Sequence, residues 1–550
     1  MTSGDNFVFE STFTESSWDG QLIRRRMNLF SGEVMPGIDW SARELLDTNT
    51  SRNIYTFSNT ASNKLREFTW ANLSTTEQAY FSLARLSATG GLTQFCASGS
   101  VCLSPANQSA AAGAPLVAFL RGDRSNEGVL TDTAKYFRLR DHLLGDIVNA
   151  EAVYVKAPLN NYADKGYSAF KASQATRTSV VYAPANDGMV HAFSATTGAE
   201  LWSYIPSFVM PSLYQLADKN YKNQHKFMLD GTPVVGDICV SNCSSDAAVW
   251  KTIMVGGQNR GGRGYYALDI TNPSAPAALW EFTDDNLGYT YGNPIVTKLK
   301  NGTWVVIFAS GYNNVSPGDG VGRIFVVNAF TGQLVTAVGG DGTISTGAGN
   351  STTPSGLARL SAWADSPGTD NTALRVYGGD LLGNLWRFDI NGDVGTAGYD
   401  AQLLATFKDA DDKLQPVTEA PQLGDINGMA VVLVGTGKYL GVSDATISTQ
   451  SFYAVKDELT ATGVGTPRTN ARYVSQTITK TTCPQNNNYC QLGQVIYTGS
   501  TNAVDWSSND GWFFDFPQAN ERSHTDPQLV QGTLVFTTNI PELSACTSIS

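Results

Sequence analysis

VVYAPANDGMVHAFSATTGAELW, residues Val180 to Trp202, reads as three short β-strands joined by two tight turns. Val180, Val181 and Tyr182 are β-formers and open the first strand. Asn186-Asp187-Gly188 supplies a reversal, because glycine takes positive φ without a Cβ clash and Asn or Asp tolerate it. Met189 to Phe193 alternate apolar with small or polar side chains, the period of a strand. Thr196-Thr197-Gly198 makes the next turn, and Ala199 to Trp202 begin a third strand. Three short antiparallel strands cannot bury their own faces, so this sheet needs neighbours.

The same grammar recurs along the chain. Lys251 to Phe282 gives a strand, the turn Gly261-Gly262-Arg263-Gly264, then YYALDI and ALWEF. Trp304 to Val335 gives WVVIFASG, a Gly-rich loop and RIFVVNAFTGQLV. Arg375 to Phe407 gives RVYGGDLLGNLWRFDI and LLATF; Ala430 to Val455 gives AVVLVGTG and SFYAV; Val495 to Phe516 gives VIYTG and WFFDF. Repeated meanders are best satisfied by a radial β-propeller, where each sheet packs on the next.

Composition agrees. Of 550 residues, 16% are charged, 11% are aromatic and 53 are glycine, the profile of an all-β, turn-rich chain. The net charge of -12 argues against nucleic acid or an anionic membrane surface as partner, since both need basic patches. Arg24-Arg25-Arg26 is the only basic run, expected at alternating solvent-facing positions of one strand. No run of 18 apolar residues predicts a spanning helix. Six of seven cysteines fall in short-spaced pairs: Cys96 and Cys102, Cys239 and Cys243, Cys483 and Cys490. Their loop settings favour local disulfides in an exported protein, and none has the Cys-x-x-Cys spacing of redox or zinc sites. Cys546 is left over, which reads as a segment of a larger exported protein.

In chain order, residues 1–60 are expected to hold the strands of a first blade. Residues 61–150 read as a partly helical insertion with a disulfide loop. Within it, Thr75-Thr76-Glu77-Gln78 is expected to cap a helix through Ala79 to Leu86, 90–113 to be a loop, and 115–120 and 131–144 to be helical. Residues 151–550 hold the remaining blades. The final stretch GTLVFTTNIPELSAC is expected to complete a last blade jointly with the N-terminal strands, for about seven in all.

Catalytic signatures are nearly absent. His142, His191, His225 and His524 form no zinc-protease motif, there is no Gly-x-Ser-x-Gly elbow, and His191 reads as a satisfied core histidine. Gly318-x-Gly320-x-Gly322 is read as a hairpin loop, since it lacks the strand-to-helix setting of a dinucleotide loop. Asp389, Asn391, Asp393 and Asp400 occupy the first, third, fifth and twelfth places of a calcium-type loop. The sixth place is Val394 and the ninth Ala397, so a simple turn cap by Asp389 competes with metal binding. Asp409, Asp411 and Asp412 are a weaker version, read as a solvated turn. Arg121-Gly122-Asp123 is the tripeptide of many integrin ligands; Asp123 capping a turn or pairing with Arg124 is the competing reading.

Taken together, LRGDRSNE (120–127), LLGDIVNAEAVYV (143–155), YAPANDGMVHAFSATTGAELW (182–202), FMLDGTPVVGDI (227–238), VGGQNRGGRGYYALDITNP (255–273), FASGYNN (308–314) and YGGDLLGNLWRFDI (377–390) resemble the C-terminal propeller of the PilC/PilY family. These are type IV pilus tip-associated adhesin and biogenesis proteins. The resemblance implies a modified seven-bladed, quinoprotein-dehydrogenase-like propeller, normally the C-terminal half of a secreted protein. It implies action with minor pilins at the pilus tip in assembly, extension against retraction, adhesion to host-cell receptors and twitching. Members often carry an Asp-x-Asp/Asn-x-Asp-x-x-x-Asp calcium loop before the strand matching Val376 to Asp380. Here that segment, Ala364 to Leu374, keeps only Asp365 and Asp370 as acids.

Calcium is thus the one cofactor with candidate ligands, and no enzyme activity is expected. Two other readings compete. A quinoprotein dehydrogenase shares blades ending in Trp after a Thr-Gly turn, but its alcohol dehydrogenases carry an adjacent cysteine pair that is missing here. A general carbohydrate- or host-binding propeller is the other.

Overall fold

A computed structural model describes residues 6–394, 398–426, 428–486 and 488–541, so Cys546 and Ala397 lie outside the described residues. The chain divides into two compact units. One runs to Asp284 and includes Phe330–Gly332; the other takes Asp285–Ala329 and continues from Gln333.

In the first unit the opening stretch forms the expected strands, Val180–Ala185, Met189–Ser194 and Glu200–Ile205. Gly188 turns at φ 85°. Met189 pairs with Ala185 and Val190 with Tyr204, so successive residues point to opposite faces. Both faces are buried. Val180, Tyr182, Val190 and Trp202 enter one core, while Val181, Ala183 and Phe193 enter another with Leu22, Trp40 and Leu144. Each fully buried side chain of this size contributes roughly 1.5–3 kcal/mol. Gly198, at φ 73°, lies so close to Trp40 that a Cβ would come within 2.7 Å of the indole.

Val153–Val155 completes a four-stranded meander on one side. On the other, Ile54–Phe57 adds parallel to Glu200–Ile205, followed by Leu65–Glu67. Strands from both sides of residue 60 therefore join this sheet. Phe7–Thr14, Asp19–Met27 and Val34–Ser41 form a three-stranded sheet of their own. In the basic run there, Arg24 and Arg26 share Asp39, with Arg26 exposed, and the half-buried Arg25 pairs with Glu10 across the sheet. A second meander in this unit joins Val234–Ser241, Val249–Gly257, Tyr265–Asp269 and Ala277–Phe282.

Residues 61–150 hold several short helices, with boundaries other than those expected. Ser74 is the N-cap, in a capping box with Glu77, and its helix Thr75–Ala79 stops before a second one, Leu83–Leu86, capped by Ser82. Two serine caps eight residues apart break what periodicity alone read as one helix. The expected loop at 90–113 contains the helix Pro105–Ala111, started by Ser104 and a proline at its first position. Ala114–Arg121 is helical as expected. Residues 131–144 are not: they hold the strand Phe137–Arg138, paired parallel to Glu127–Gly128. The Asp132 carboxylate accepts from Ala134 N in a local turn, and the buried Arg140–Glu127 ion pair fixes the extended path.

The second unit holds three more antiparallel meanders. They are Ile295–Lys298 to Thr343–Ser345, Leu360–Trp363 to Ala401–Thr406, and Gln422–Ile426 to Gly511–Asp515. The Gly318–Gly322 segment lies in the loop between Trp304–Ala309 and Arg323–Asn328, as read. A register shift recurs between the third and fourth strands, at Ala192/Phe193, Ala267/Leu268 and Leu385/Trp386. Such bulges raise local twist.

One expectation is corrected here. VIYTG is not a blade strand beside WFFDF. Val495–Gly499 pairs with Ile478–Thr482 in a largely exposed hairpin, while Gly511–Asp515 lies between Ser451–Lys456, antiparallel, and Tyr473–Ser475, parallel. The apolar run can be buried on both faces, and the Thr- and Tyr-rich strand cannot. Among the described residues of the final stretch, Thr533–Val535 pairs with Gln528–Val530, and Thr538–Asn539 with Arg522–Ser523, so these strands find partners close in sequence. Among the described residues no helix is long and apolar enough to cross a membrane.

Candidate functional site

Two acidic loops meet at the end of the Arg375–Gly379 and Asn384–Phe388 hairpin. Asp389 is buried, and its carboxylate accepts from the backbone N–H of Asn391, Gly392 and Val394 at 3.1, 2.8 and 2.8 Å. Asn391 ties the loops together, accepting from Lys300 N and donating to the carbonyls of Ala373 and Leu374. Asp393 pairs with the Lys300 ammonium. Asp400 takes part through its carbonyl, which accepts from Asp389 N.

In the other loop, Asp365 accepts from the Trp363 indole at 2.9 Å. Asp370 accepts from the Thr372 hydroxyl at 2.6 Å and pairs with Lys298 at 3.2 Å. The Thr372 hydrogen bond, with help from Lys298, holds the Asp370 carboxyl below its ordinary range. Lysines from the Ile295–Lys298 strand and its turn thus supply the positive charge to both loops. Among the described residues no three His, Cys, Asp or Glu side chains converge as metal ligands. Calcium takes six to eight oxygens, and here the carboxylates are divided between backbone, hydroxyl, indole and lysine donors. This donor set does not fit a calcium shell as arranged. Asp409 is likewise a turn cap, accepting from Asp411 N and Lys413 N, with Asp412 paired to Lys408.

Arg121-Gly122-Asp123 ends the Ala114–Arg121 helix. The Arg121 guanidinium donates to the carbonyls of Phe68 and Arg52 and pairs with Glu67 at 2.9 Å. Gly122 takes the left-handed cap conformation at φ 117°, and Asp123 accepts from Ser125 N at 2.8 Å. The Arg121 and Asp123 side chains and the Gly122 backbone all serve the fold at this corner, Asp123 as the turn cap.

A buried ionisable cluster lies in the first unit, of which the sequence pointed only to the histidine. His191 is 0% exposed, with Nδ1 2.8 Å from Glu200 and Nε2 3.1 Å from Asp187. Arg52 grips Glu200 at 2.7 and 2.8 Å. Burial alone would lower the His191 pKa, but Asp187 and Glu200 outweigh it and raise it to about 9. Burial opposes, and Arg52 and His191 then pull, Glu200 down to about 2. Nearby, His225 contacts Asp146 at 2.9 Å under the Trp18 ring, whose centroid is 3.8 Å away. Every polar atom of His191 is engaged and closed from solvent, which suits a structural role, as its strand setting suggested. The hairpin register could have linked Asp187, His191 and Glu200; nothing local pointed to Arg52.

All three cysteine pairs are disulfides: Cys96–Cys102, Cys239–Cys243 and Cys483–Cys490, with Cα separations of 5.2, 5.8 and 6.1 Å. The last closes the exposed hairpin of Ile478–Thr482 and Val495–Gly499.

Residues 144–488 match the model of the PilY1 β-propeller domain. The chain belongs to the PilY1 family. The type IV pilus biogenesis factor PilY1 of Pseudomonas aeruginosa strain PAK is 31% identical over 93% of this chain and 44% of its own length. A PilY1 homolog of Xylella fastidiosa is 28% identical over 99% of this chain and 39% of its own length. The chain thus spans less than half the length of these relatives. The crystal structure of the P. aeruginosa PilY1 C-terminal domain matches with a TM-score of 0.53 at 25% identity, covering 69% of this chain and 82% of that one. The region matched by the PilY1 model holds Asp187, His191 and Glu200, Cys239–Cys243 and both acidic loops, while Arg52 lies before it. Arg121-Gly122-Asp123 and Cys96–Cys102 lie before it.

Proposed function

We propose that this chain is the propeller part of a type IV pilus biogenesis factor that works without catalysis at the pilus tip. In this reading it acts with minor pilins, favours extension over retraction, and thereby supports twitching and adhesion. The observation that carries it is the 31% identity to PilY1 of P. aeruginosa across 93% of the chain. Three short-range disulfides suit an exported protein in an oxidising compartment, the periplasm or the cell surface. The buried histidine cluster has no open acid, base or nucleophile to offer a substrate. The acidic loops carry their own lysines, so the role does not run through a tight calcium site at Asp365–Leu374.

The test is genetic and biochemical. A strain lacking this segment should show fewer sheared surface pili and smaller twitching zones, and the purified segment should retain minor pilins in a pull-down. Normal piliation in that strain, with no pilin retained, would sink the proposal. Turnover of a redox dye with added pyrroloquinoline quinone and calcium would overturn its non-catalytic part.

A further inference from the structure

A cavity of about 350 Å³ in the first unit is lined by three cations, Arg138, Lys219 and Lys222. The chain is acidic overall, and most basic side chains described above sit against a carboxylate. None of these three does. Arg138 donates from Nε to the Leu216 carbonyl at 2.6 Å and lies over the Tyr221 ring at 4.3 Å. Its two terminal nitrogens have no hydrogen-bond partner among the described residues. Lys219 is only 9% exposed, and its ammonium donates to two carbonyls, of Asp132 and Lys135 at 2.5 and 2.7 Å. Lys222 is exposed, and its ammonium has no partner among the described residues.

Carbonyl dipoles hold a buried ammonium without neutralising it, and Asp132 acts on Lys219 and Glu127 on Arg138 without forming an ion pair, so part of the cost of burying each charge remains. Burial pulls both Arg138 and Lys219 below their ordinary pKa values. An anion in the cavity would relieve that penalty. The rest of the lining narrows its chemistry. Val129 and Leu139 are 55% and 53% exposed, Leu130 lines the same wall, and Asp141 is the single acid among the lining residues. A bare phosphate would leave that apolar wall wet. A planar carboxylate on an apolar body matches both halves, because the guanidinium fork binds carboxylate oxygens in pairs.

We propose that this cavity binds a carboxylate carried on a small apolar group, supplied either by the C-terminus of a polypeptide ending in an aliphatic residue or by a free short-chain organic acid. It lies between the N-terminal hairpin turn at Ser16-Ser17, the 128–141 segment of the insertion and the 219–222 turn.

Calorimetry on the whole chain would use four probes: N-acetyl-Ala-Leu-Val with a free carboxylate, its C-terminal amide, isovalerate and inorganic phosphate. The free-acid peptide should bind saturably, and the amide at least about tenfold more weakly. Arg138→Gln and Lys222→Gln should each weaken the acid by about tenfold, while Lys413→Gln in the other unit should not. Lys222 is exposed, so its variant tests the site without endangering the fold. A peptide acid much tighter than isovalerate assigns the ligand to a polypeptide terminus; equal affinities assign it to a free acid. Binding of acid and amide alike, preference for phosphate, no saturation to about 10 mM, or full affinity in Lys222→Gln would each overturn the proposal.

Discussion

Replacing His191 by glutamine should remove a pH-dependent part of the first unit's stability. The histidine is fully buried between Asp187 and Glu200, and these carboxylates lift its pKa from the ordinary 6.5 to about 9. A group whose folded pKa is raised stabilises the fold fully below its unfolded value and loses that contribution as pH rises through the folded one. The window is therefore pH 6.5 to about 9. Each tenfold in proton affinity is worth about 1.4 kcal/mol, which makes the linked contribution about 3 kcal/mol. His191→Gln should be less stable than the parent at all these pH values, because it leaves two buried carboxylates short of a partner. The gap should shrink by about 3 kcal/mol between about pH 6.5 and about pH 10. Urea unfolding followed by the fluorescence of buried Trp40 and Trp202 would measure it at both ends. A gap that stays constant to within about 1 kcal/mol would refute the assignment of a charged, buried imidazolium.

Glu419 gives a slope of the same sign for a different reason. Burial raises its pKa to about 8 despite hydrogen bonds from Ser523 and Gly435. A carboxyl with a raised folded pKa loses stability as pH rises from its ordinary 4.5 to about 8, and Glu419→Gln should flatten that slope in pH-dependent unfolding. Arg387 and Asp457, each 1% exposed, are 2.7 Å apart. Arg387→Met strands a buried carboxylate and should cost the second unit roughly 3–5 kcal/mol in urea unfolding. Calcium titration by calorimetry should show no site tighter than about 0.1 mM. Tight binding abolished by Asp370→Ala would show that Lys298 yields its place to a metal. Cys483→Ser with Cys490→Ser should cost roughly 2 kcal/mol in urea unfolding, since both residues are buried and the bridge closes a short loop.

The all-β class, the meander repeat and the disulfides were legible in the sequence because they rest on local signals. Period-2 apolar patterning, Gly at turns and cysteines four to seven residues apart act within one hairpin. That both faces of Val180–Ala185 are buried follows from the apolar side chains at successive positions. Helix limits in the insertion were only half legible, since the Ser74 and Ser82 caps compete with an apolar period that runs through both. What the tertiary structure alone decided were the partners brought from far along the chain. Ile54–Phe57 joins the sheet of Glu200–Ile205, and Arg52 reaches Glu200 from 148 residues away. Gly511–Asp515 leaves its sequence neighbour VIYTG for Ser451–Lys456, because two apolar faces need cover on both sides. The acidic loops show the same limit. Their Asp and Asn spacing is a local fact compatible with a cation or a turn, and only the approach of Lys298 and Lys300 from another strand of the unit shows which charge faces Asp370 and Asp393. Spacing encodes what a few successive residues can reach, whereas the choice among competing partners is made by burial and charge balance, which exist only once distant segments have been packed together.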